Sequence, residues 1–239
     1  MKILLIIPAY NEAENIKKTV NEITKNANYD YIVINDCSKD STPQILDKNK
    51  FNHVDLVQNL GIGGAVQTGY KYAYENNYDI AIQFDGDGQH DINYVETICK
   101  PIVEGQADMC IGTRYLDKSS SEFQSTAIRR FGSKIISIFI KIFAGKKITD
   151  PTSGFRAVNK SVIEEFAREY PKEYPEPEST VSLLVNGYKV TEVPVSMNER
   201  EGGTSSITKK FWKPADYMIK VVLAIIIDSI SFRRKRRKK

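Results

Sequence analysis

Short apolar runs alternate with helix-periodic stretches through the first half of the chain, and this rhythm constrains the fold more than any other feature. Ile3–Ile7, Tyr31–Asn35, Val54–Val57, Ile80–Phe84 and Met109–Gly112 read as strands. Between the first two, Asn11 reads as an N-cap, and Ala13, Ile16, Val20 and Ile23 trace one apolar helical face. Thr42-Pro43 reads as a cap plus N1 proline opening a short helix through Ile45 and Leu46. After Gly61-Ile62-Gly63-Gly64 a helix carries Ala65, Val66, Gly69, Tyr72 and Ala73, and Tyr94–Val103 forms another. Strands alternating with helices predict an α/β fold, a mainly parallel sheet covered on both faces. In such sheets ligands sit beyond the C-terminal ends of the strands. Asn11, Asp36, Asn59 and Asp85 all fall at such ends, so their strands converge on one crevice.

The run Asp85-Gly86-Asp87-Gly88-Gln89-His90 follows the fourth strand directly. Residues i and i+2 of an extended chain face one side, so Asp85 and Asp87 project together. The intervening glycines let the backbone turn and leave room for a ligand. Two carboxylates and an amide oxygen make an oxygen-only set, suited to Mg²⁺ or Mn²⁺ holding a diphosphate and unsuited to zinc. A plain Asp-Gly turn is the bland alternative. A calcium loop is another, with Asp85, Asp87, Gln89 and Glu96 in the EF-hand frame. It is excluded because His90 stands where that loop needs glycine and a strand, not a helix, precedes it.

The second half reads differently. Ile128–Ala144 is helical in length but apolar around much of its circumference, as in a core helix or one partly sunk in a bilayer interface. Tyr188–Met197 reads as a strand, Arg200–Ile207 as a flexible loop and Ala215–Phe232 as a last helix. Val221–Ile227 offers seven uninterrupted apolar residues between Lys220 and Asp228, whereas a span needs about 20. The net charge of +4 conceals a basic end: Arg233–Lys239 holds seven consecutive basic residues, and without them the body stands at −3. An acidic body whose basic tail has no interleaved aromatics argues against a nucleic-acid-binding protein. An apolar segment followed by a polybasic end suits an amphipathic helix lying on an anionic membrane surface. Cys37, Cys99 and Cys110 have no paired spacing, which points to a reducing compartment. The Ile3–Ile7 run is too short for a signal peptide. The division expected is a main α/β domain over 1–210 and a membrane-surface helix with a basic tail over 211–239.

Four motifs occur in order: Pro8-Ala9-Tyr10-Asn11-Glu12, Asn35-Asp36-Cys37-Ser38-Lys39-Asp40-Ser41-Thr42, Asn59-Leu60-Gly61-Ile62-Gly63-Gly64-Ala65, and Asp85-Gly86-Asp87-Gly88-Gln89-His90. Together they resemble the family 2 inverting glycosyltransferases of GT-A fold. Gly112-Thr113-Arg114-Tyr115, Asp150-Pro151-Thr152-Ser153-Gly154-Phe155-Arg156, Tyr174-Pro175-Glu176-Pro177-Glu178, Glu192-Val193-Pro194-Val195 and Arg200–Ile207 extend the likeness to the polyprenyl-phosphate branch, which includes the dolichyl-phosphate mannose synthases and bacterial relatives. The chain departs from that branch at Ser206, where those synthases often carry lysine, and in its Pro-Glu-Pro-Glu segment. Both departures weigh against assigning mannose or GDP.

The resemblance implies roles residue by residue. Pro8, Tyr10, Asn11 and Glu12 wall the nucleoside pocket, Asp36 hydrogen-bonds the base, and Gly64 belongs to the donor site. Asp85, Asp87 and Gln89 hold Mg²⁺ or Mn²⁺ on the diphosphate. Arg114, Arg129, Ser133 and Arg200 bind donor or acceptor phosphate; Arg129 and Ser133, four residues apart, share a helical face. Glu178, with Glu176, lies where hydroxyl-transferring relatives keep a base, and acidic residues at a helix N-terminus are the alternative explanation. The implied activity moves a hexose from a nucleoside-diphosphate sugar to a polyprenyl phosphate on the cytoplasmic, inner face of the cell membrane, in cell-wall or capsule polysaccharide biosynthesis. A separate small integral membrane protein is an expected docking partner, since fused transmembrane helices are missing. Transfer to a sugar hydroxyl of a growing surface polysaccharide is the alternative.

Overall fold

The computed structural model describes residues 1–26, 29–115, 127–197 and 214–237. Seven strands form one sheet: β1 (Ile3–Ala9), β2 (Asp30–Asn35), β3 (His53–Asp55), β4 (Ile80–Gln83), β5 (Met109–Thr113), β6 (Arg156–Asn159) and β7 (Val190–Pro194). Their order is β3-β2-β1-β4-β6-β5-β7. All pairings are parallel except those of β6, which runs antiparallel to both neighbours. The helices among the described residues are α1 (Ile16–Asn26), α2 (Thr42–Lys48), α3 (Gly61–Glu75), α4 (Val95–Val103), α5 (Ala127–Ala144), α6 (Lys160–Arg168), α7 (Pro175–Asn186) and α8 (Pro214–Arg237).

Period-2 alternation divides the core between the two faces of the sheet. Leu4, Ile6, Ile32 and Ile34 face α3, α5, α6, α7 and α8. Leu5, Ile7, Val33 and Ile82 face the other way, onto Ile16, Val20, Ile23, Leu46 and Ile98 of α1, α2 and α4. Covering on both faces explains why these strands are near-continuous apolar runs.

Four expectations need correction. Asn11 does not cap α1, which begins at Ile16. The amides of Asn15 and Ile16 both bond the Glu12 carbonyl, at 3.0 and 2.9 Å, so a separate turn intervenes. Asn11 itself sits at φ 57, the left-handed region that asparagine tolerates better than most residues. Asp85 and Asp87 do not lie on an extended segment: β4 ends at Gln83, and Gly86-Asp87 forms a turn closed by Asp87 Oδ1 accepting the Gln89 amide at 3.1 Å. Helix α8 does not stop near Phe232 but continues through Arg237, because arginine and lysine are good helix formers and no glycine or proline interrupts them.

The last helix is also not divided into one apolar and one polar face. Val221, Ile225 and Ser229 are buried where α8 packs on α7 and α5. A different row, Ile219, Leu223, Ile227 and Ile230, is exposed. Helix α5 repeats the arrangement, burying Ser133, Ile136, Ser137 and Ile140 while exposing Phe131, Ile138 and Ile142. Among the described residues no helix is long and apolar enough to cross a membrane. The boundary drawn at residue 210 and the Arg200–Ile207 loop lie outside the described residues.

Candidate active site

The loops that follow β1 and β2 are fastened to each other before any ligand arrives. The Asn11 amide donates to Ser38 Oγ at 2.9 Å, and the Lys39 amide donates to Asn11 Oδ1 at 2.8 Å. The Glu12 amide donates to Thr42 Oγ1 at 3.0 Å, and the Ala13 amide to Asp40 Oδ2 at 3.1 Å. Asp40 also accepts the Thr42 amide at 2.9 Å. Burial opposes its charge, but the bonds from Thr42 and Ala13 outweigh that and hold its carboxyl below the usual carboxylate range. Tyr10 stands exposed beside this zipper, and Pro8 is buried in β1.

Asp36 terminates β2 and is 3% exposed. Its Oδ1 accepts the Leu60 amide at 2.7 Å, and its backbone carbonyl accepts Asn59 Nδ2 at 3.0 Å. Burial raises its pKa, partly offset by the Leu60 and Gly61 amides. Asp36 thus ties the turn before α3 to the end of β2. Gly64 gives that turn its space, since a Cβ there would lie 2.4 Å from Leu60 Cβ. The geometry gives Gly64 a packing role supporting Asp36.

The carboxylate turn lies at the end of β4, in the centre of the sheet. Asp85, Asp87 and Gln89 are all partly exposed. Thr19 Oγ1 reaches the Gly86 carbonyl at 3.2 Å, tying the turn to α1. His90 is buried, and burial pushes its pKa down to about 4, against the pull of Asp87. Gly88 takes φ +77 with nothing within 4 Å of a built Cβ, so one side of the turn is open. Oxygen donors on an open turn fit a hard cation whose remaining positions go to diphosphate oxygens. Among the described residues no group of three or more His, Cys, Asp or Glu converges as a metal site. A cation here would therefore rest on Asp85, Asp87 and the Gln89 amide and take its other ligands from the donor.

Arg114 follows β5 and does not reach out as a free cation. Its Nε and Nη2 donate to Asp150 Oδ2 and Oδ1 at 2.7 and 2.9 Å, a fork-on-fork pair with Asp150 fully buried. Asp150 is set in turn by Glu192, which accepts the Thr149 amide at 2.7 Å and the Asp150 amide at 2.9 Å. The pair uses two of the five guanidinium donors, and the guanidinium lies over the Tyr115 ring, 5.5 Å from its centroid.

Arg156 is the residue that sequence reasoning missed. It is 1% exposed and donates to the carbonyls of Ser153, Pro151 and Glu176 at 2.6, 2.9 and 2.6 Å, and to Ser179 Oγ and Thr180 Oγ1, each at 3.0 Å. It therefore joins the Asp150–Phe155 loop to the first turn of α7. Its only signal in the sequence is its place in the motif that begins at Asp150. The Glu176 carboxyl is raised by burial, opposed by Arg156, and faces Gln83.

The other expected residues are distributed unevenly. Ser133 is 3% exposed, and its hydroxyl is buried without a hydrogen-bond partner among the described residues. Such an orphan costs about 1–3 kcal/mol unless a water or ligand satisfies it. Glu178 lies partly exposed in the first turn of α7. Arg129 lies on α5, but its side chain is outside the described residues, as is all of Arg200.

Residues 4–167 match the family described as Glycosyl transferase family 2, and the chain belongs to that family. It is 34% identical over 214 residues to a UDP-N-acetylglucosamine–dolichyl-phosphate N-acetylglucosaminyltransferase of Methanococcus voltae, covering 81% of this chain and 84% of that one. It is 29% identical over 216 residues to the polyprenol monophosphomannose synthase of Mycolicibacterium smegmatis, covering 86% and 80%. The fold matches glucosyl-3-phosphoglycerate synthase of Mycobacterium tuberculosis, solved with Mn²⁺, UDP-glucose and phosphoglyceric acid, at a TM-score of 0.68 and 15% identity over 94% of this chain and 79% of that one. The protein is a glycosyltransferase, and its mostly parallel sheet is that of the GT-A fold.

Proposed function

We propose that this glycosyltransferase moves a hexose from a nucleoside-diphosphate sugar to a polyprenyl phosphate at the inner face of the cell membrane, with Mg²⁺ or Mn²⁺ on Asp85, Asp87 and Gln89. The bound cation would neutralise charge building on the leaving diphosphate. The zipped loops from Pro8 to Glu12 and from Asn35 to Thr42 would receive the nucleoside, with Asp36 on the base. Arg114, aimed by Asp150, would hold a phosphate oxygen through the donors its partner leaves open. The acceptor oxygen attacks the anomeric carbon as the bond to the β-phosphate oxygen breaks, inverting that carbon. A phosphate monoester has a second pKa of about 6, so most of it needs no base at pH 7. It needs cations and a hydroxyl to place it, the roles proposed for Arg129, Arg200 and the orphaned Ser133.

The observation that carries the lipid acceptor is the exposed apolar stripe on α5 beside that on α8. Phe131, Ile138 and Ile142 lie on the helix that bears Arg129 and Ser133, and Ile219, Leu223, Ile227 and Ile230 on the helix packed against it. Exposed Lys134, Lys141 and Lys220 accompany the stripes. Apolar surface with a basic cluster supplies the two signals that stable membrane attachment requires, each Lys or Arg near an anionic leaflet adding about 1 kcal/mol. One observation favours transfer to a sugar hydroxyl instead: burial raises the Glu176 carboxyl, the direction that suits a general base. The two acceptors are separated by substitution. Arg200→Ala removes most activity if the acceptor is a phosphate, while Glu176→Gln and Glu178→Gln each keep a substantial part. Loss of a general base costs about 10²–10⁴-fold, so a dead Glu176→Gln or Glu178→Gln beside an active Arg200→Ala overturns the lipid reading.

A further inference from the structure

The histidine that closes the carboxylate turn is left unused by the chemistry above, yet it is among the most constrained side chains of the crevice. Its ring accepts the Asp85 amide at Nδ1, 2.9 Å away. An acceptor at Nδ1 requires the ring to carry its proton on Nε2. That nitrogen lies 3.5 Å from Asp85 Oδ2, so the N–H dipole faces the carboxylate. The ring cannot rotate freely. It stacks on Phe155 at 4.7 Å and 24°, and meets the edge of Phe84 at 5.5 Å and 81°. Its backbone forms an antiparallel bridge with Met197. The histidine thus holds one residue at both its backbone and its side chain.

The opposite wall is a missing side chain. A Cβ built on Gly154 would lie 3.0 Å from Asp85 Oδ2, 3.2 Å from Oδ1 and 3.0 Å from Gln83 Nε2. Nothing larger than hydrogen fits there without displacing the carboxylate or the amide. Gln83 Nε2 completes the enclosure 3.5 Å from Asp85 Oδ1. Gln83 is 1% exposed, so it cannot withdraw into solvent. The Asp85 carboxylate is therefore walled by an imidazole, a glycine and an amide.

We propose that His90 and Gly154 are positioning residues for Asp85: together they fix its carboxylate in one orientation before a cation arrives. This rests on the reading of Asp85 as a cation ligand. A ligand already held in place loses little rotamer freedom on coordination. Outer-shell partners of metal ligands typically matter about 10–100-fold in affinity. Gly154 acts purely by space, which separates its effect from hydrogen bonding.

The test is Mn²⁺ affinity in the presence of UDP or GDP, each set against a protein-free blank, followed by electron paramagnetic resonance of the free ion, with a melting temperature for each variant. Asp85→Asn sets the scale for losing the ligand itself. The account expects His90→Ala and Gly154→Ala each to weaken Mn²⁺ binding about 10–100-fold. His90→Asn, whose Oδ1 can take the place of Nδ1 toward the Asp85 amide, recovers part of that loss. Should His90→Ala fail to fold, His90→Asn and Gly154→Ala still decide the matter, since both leave the aromatic stack or its space largely filled. Folded variants of His90 and Gly154 that bind Mn²⁺ within about twofold of wild type, while Asp85→Asn does not, overturn the positioning roles and leave the cation reading standing. A wild type that binds no Mn²⁺, or an Asp85→Asn variant that binds it equally well, overturns the cation reading and this inference with it.

Discussion

Removing the Asp150 carboxylate leaves Arg114 stranded, and the cost follows from the burial of the pair. Asp150 is fully buried, and the Arg114 side chain is 13% exposed. Asp150→Ala deletes the acceptor of the bonds at 2.7 and 2.9 Å and leaves a guanidinium that water barely reaches. Breaking a buried pair from one side costs about 3–5 kcal/mol, most of it the penalty on the charge left behind. At about 2–4 °C per kcal/mol for a chain of this size, the melting temperature falls by roughly 6–20 °C. Arg114→Ala should be costly for the mirror-image reason. The double variant Arg114→Ala/Asp150→Ala removes both charges together, so its loss falls short of the sum of the singles by at least about 1 kcal/mol. The assay is equilibrium urea unfolding of all four proteins, reading midpoint and slope. Singles that lose under about 1 kcal/mol, or losses that add, refute the claim that Asp150 holds a buried Arg114 in place.

Two other outcomes are expected. Asp40 is held below the usual carboxylate range in the folded protein, so its contribution is complete above the unfolded value of about 3.9 and disappears as pH falls through the folded value. Asp40→Asn should therefore flatten the loss of stability below about pH 4; thermal melts showing identical acid profiles would remove Asp40 from the loop zipper. For the apolar stripes, Ile138→Glu/Leu223→Glu should lower sedimentation with anionic vesicles at all salt concentrations, whereas deleting Arg233–Lys239 should remove only the part that salt screens, the Debye length being about 8 Å at physiological strength. Equal vesicle binding by all three proteins would return these helices to ordinary surface.

Much of the fold is legible because it is local. The strands from Ile3, Tyr31, Ile80 and Met109 announce themselves as apolar runs, and the motif residues sit where those runs end. Strand β6 is different: Arg156–Asn159 is short, begins with a charge and runs against its neighbours, so no local pattern distinguishes it. Arg114 reads in sequence as a phosphate-binding cation and Arg156 only as part of its motif; the partners that fix them are distant in sequence, Asp150 for one and the α7 hydroxyls for the other. Asp36 is recognisable as a strand-end carboxylate, but its bond to the Leu60 amide depends on how α3 docks. The apolar surface of α5 and α8 is ambiguous in sequence, because apolar residues occupy much of their circumference and only packing shows which row is left outside.

The most direct measurement of the central claim is transfer of label into lipid. The protein is incubated with Mn²⁺, a polyprenyl phosphate and, in parallel, several radiolabelled nucleotide sugars, UDP-N-acetylglucosamine among them, and the organic phase is counted. The account predicts label in that phase with at least one donor, abolished by EDTA and by Asp87→Ala, and dependent on the lipid phosphate. Label that appears only on a glycan acceptor, or lipid labelling that persists in EDTA, would contradict it.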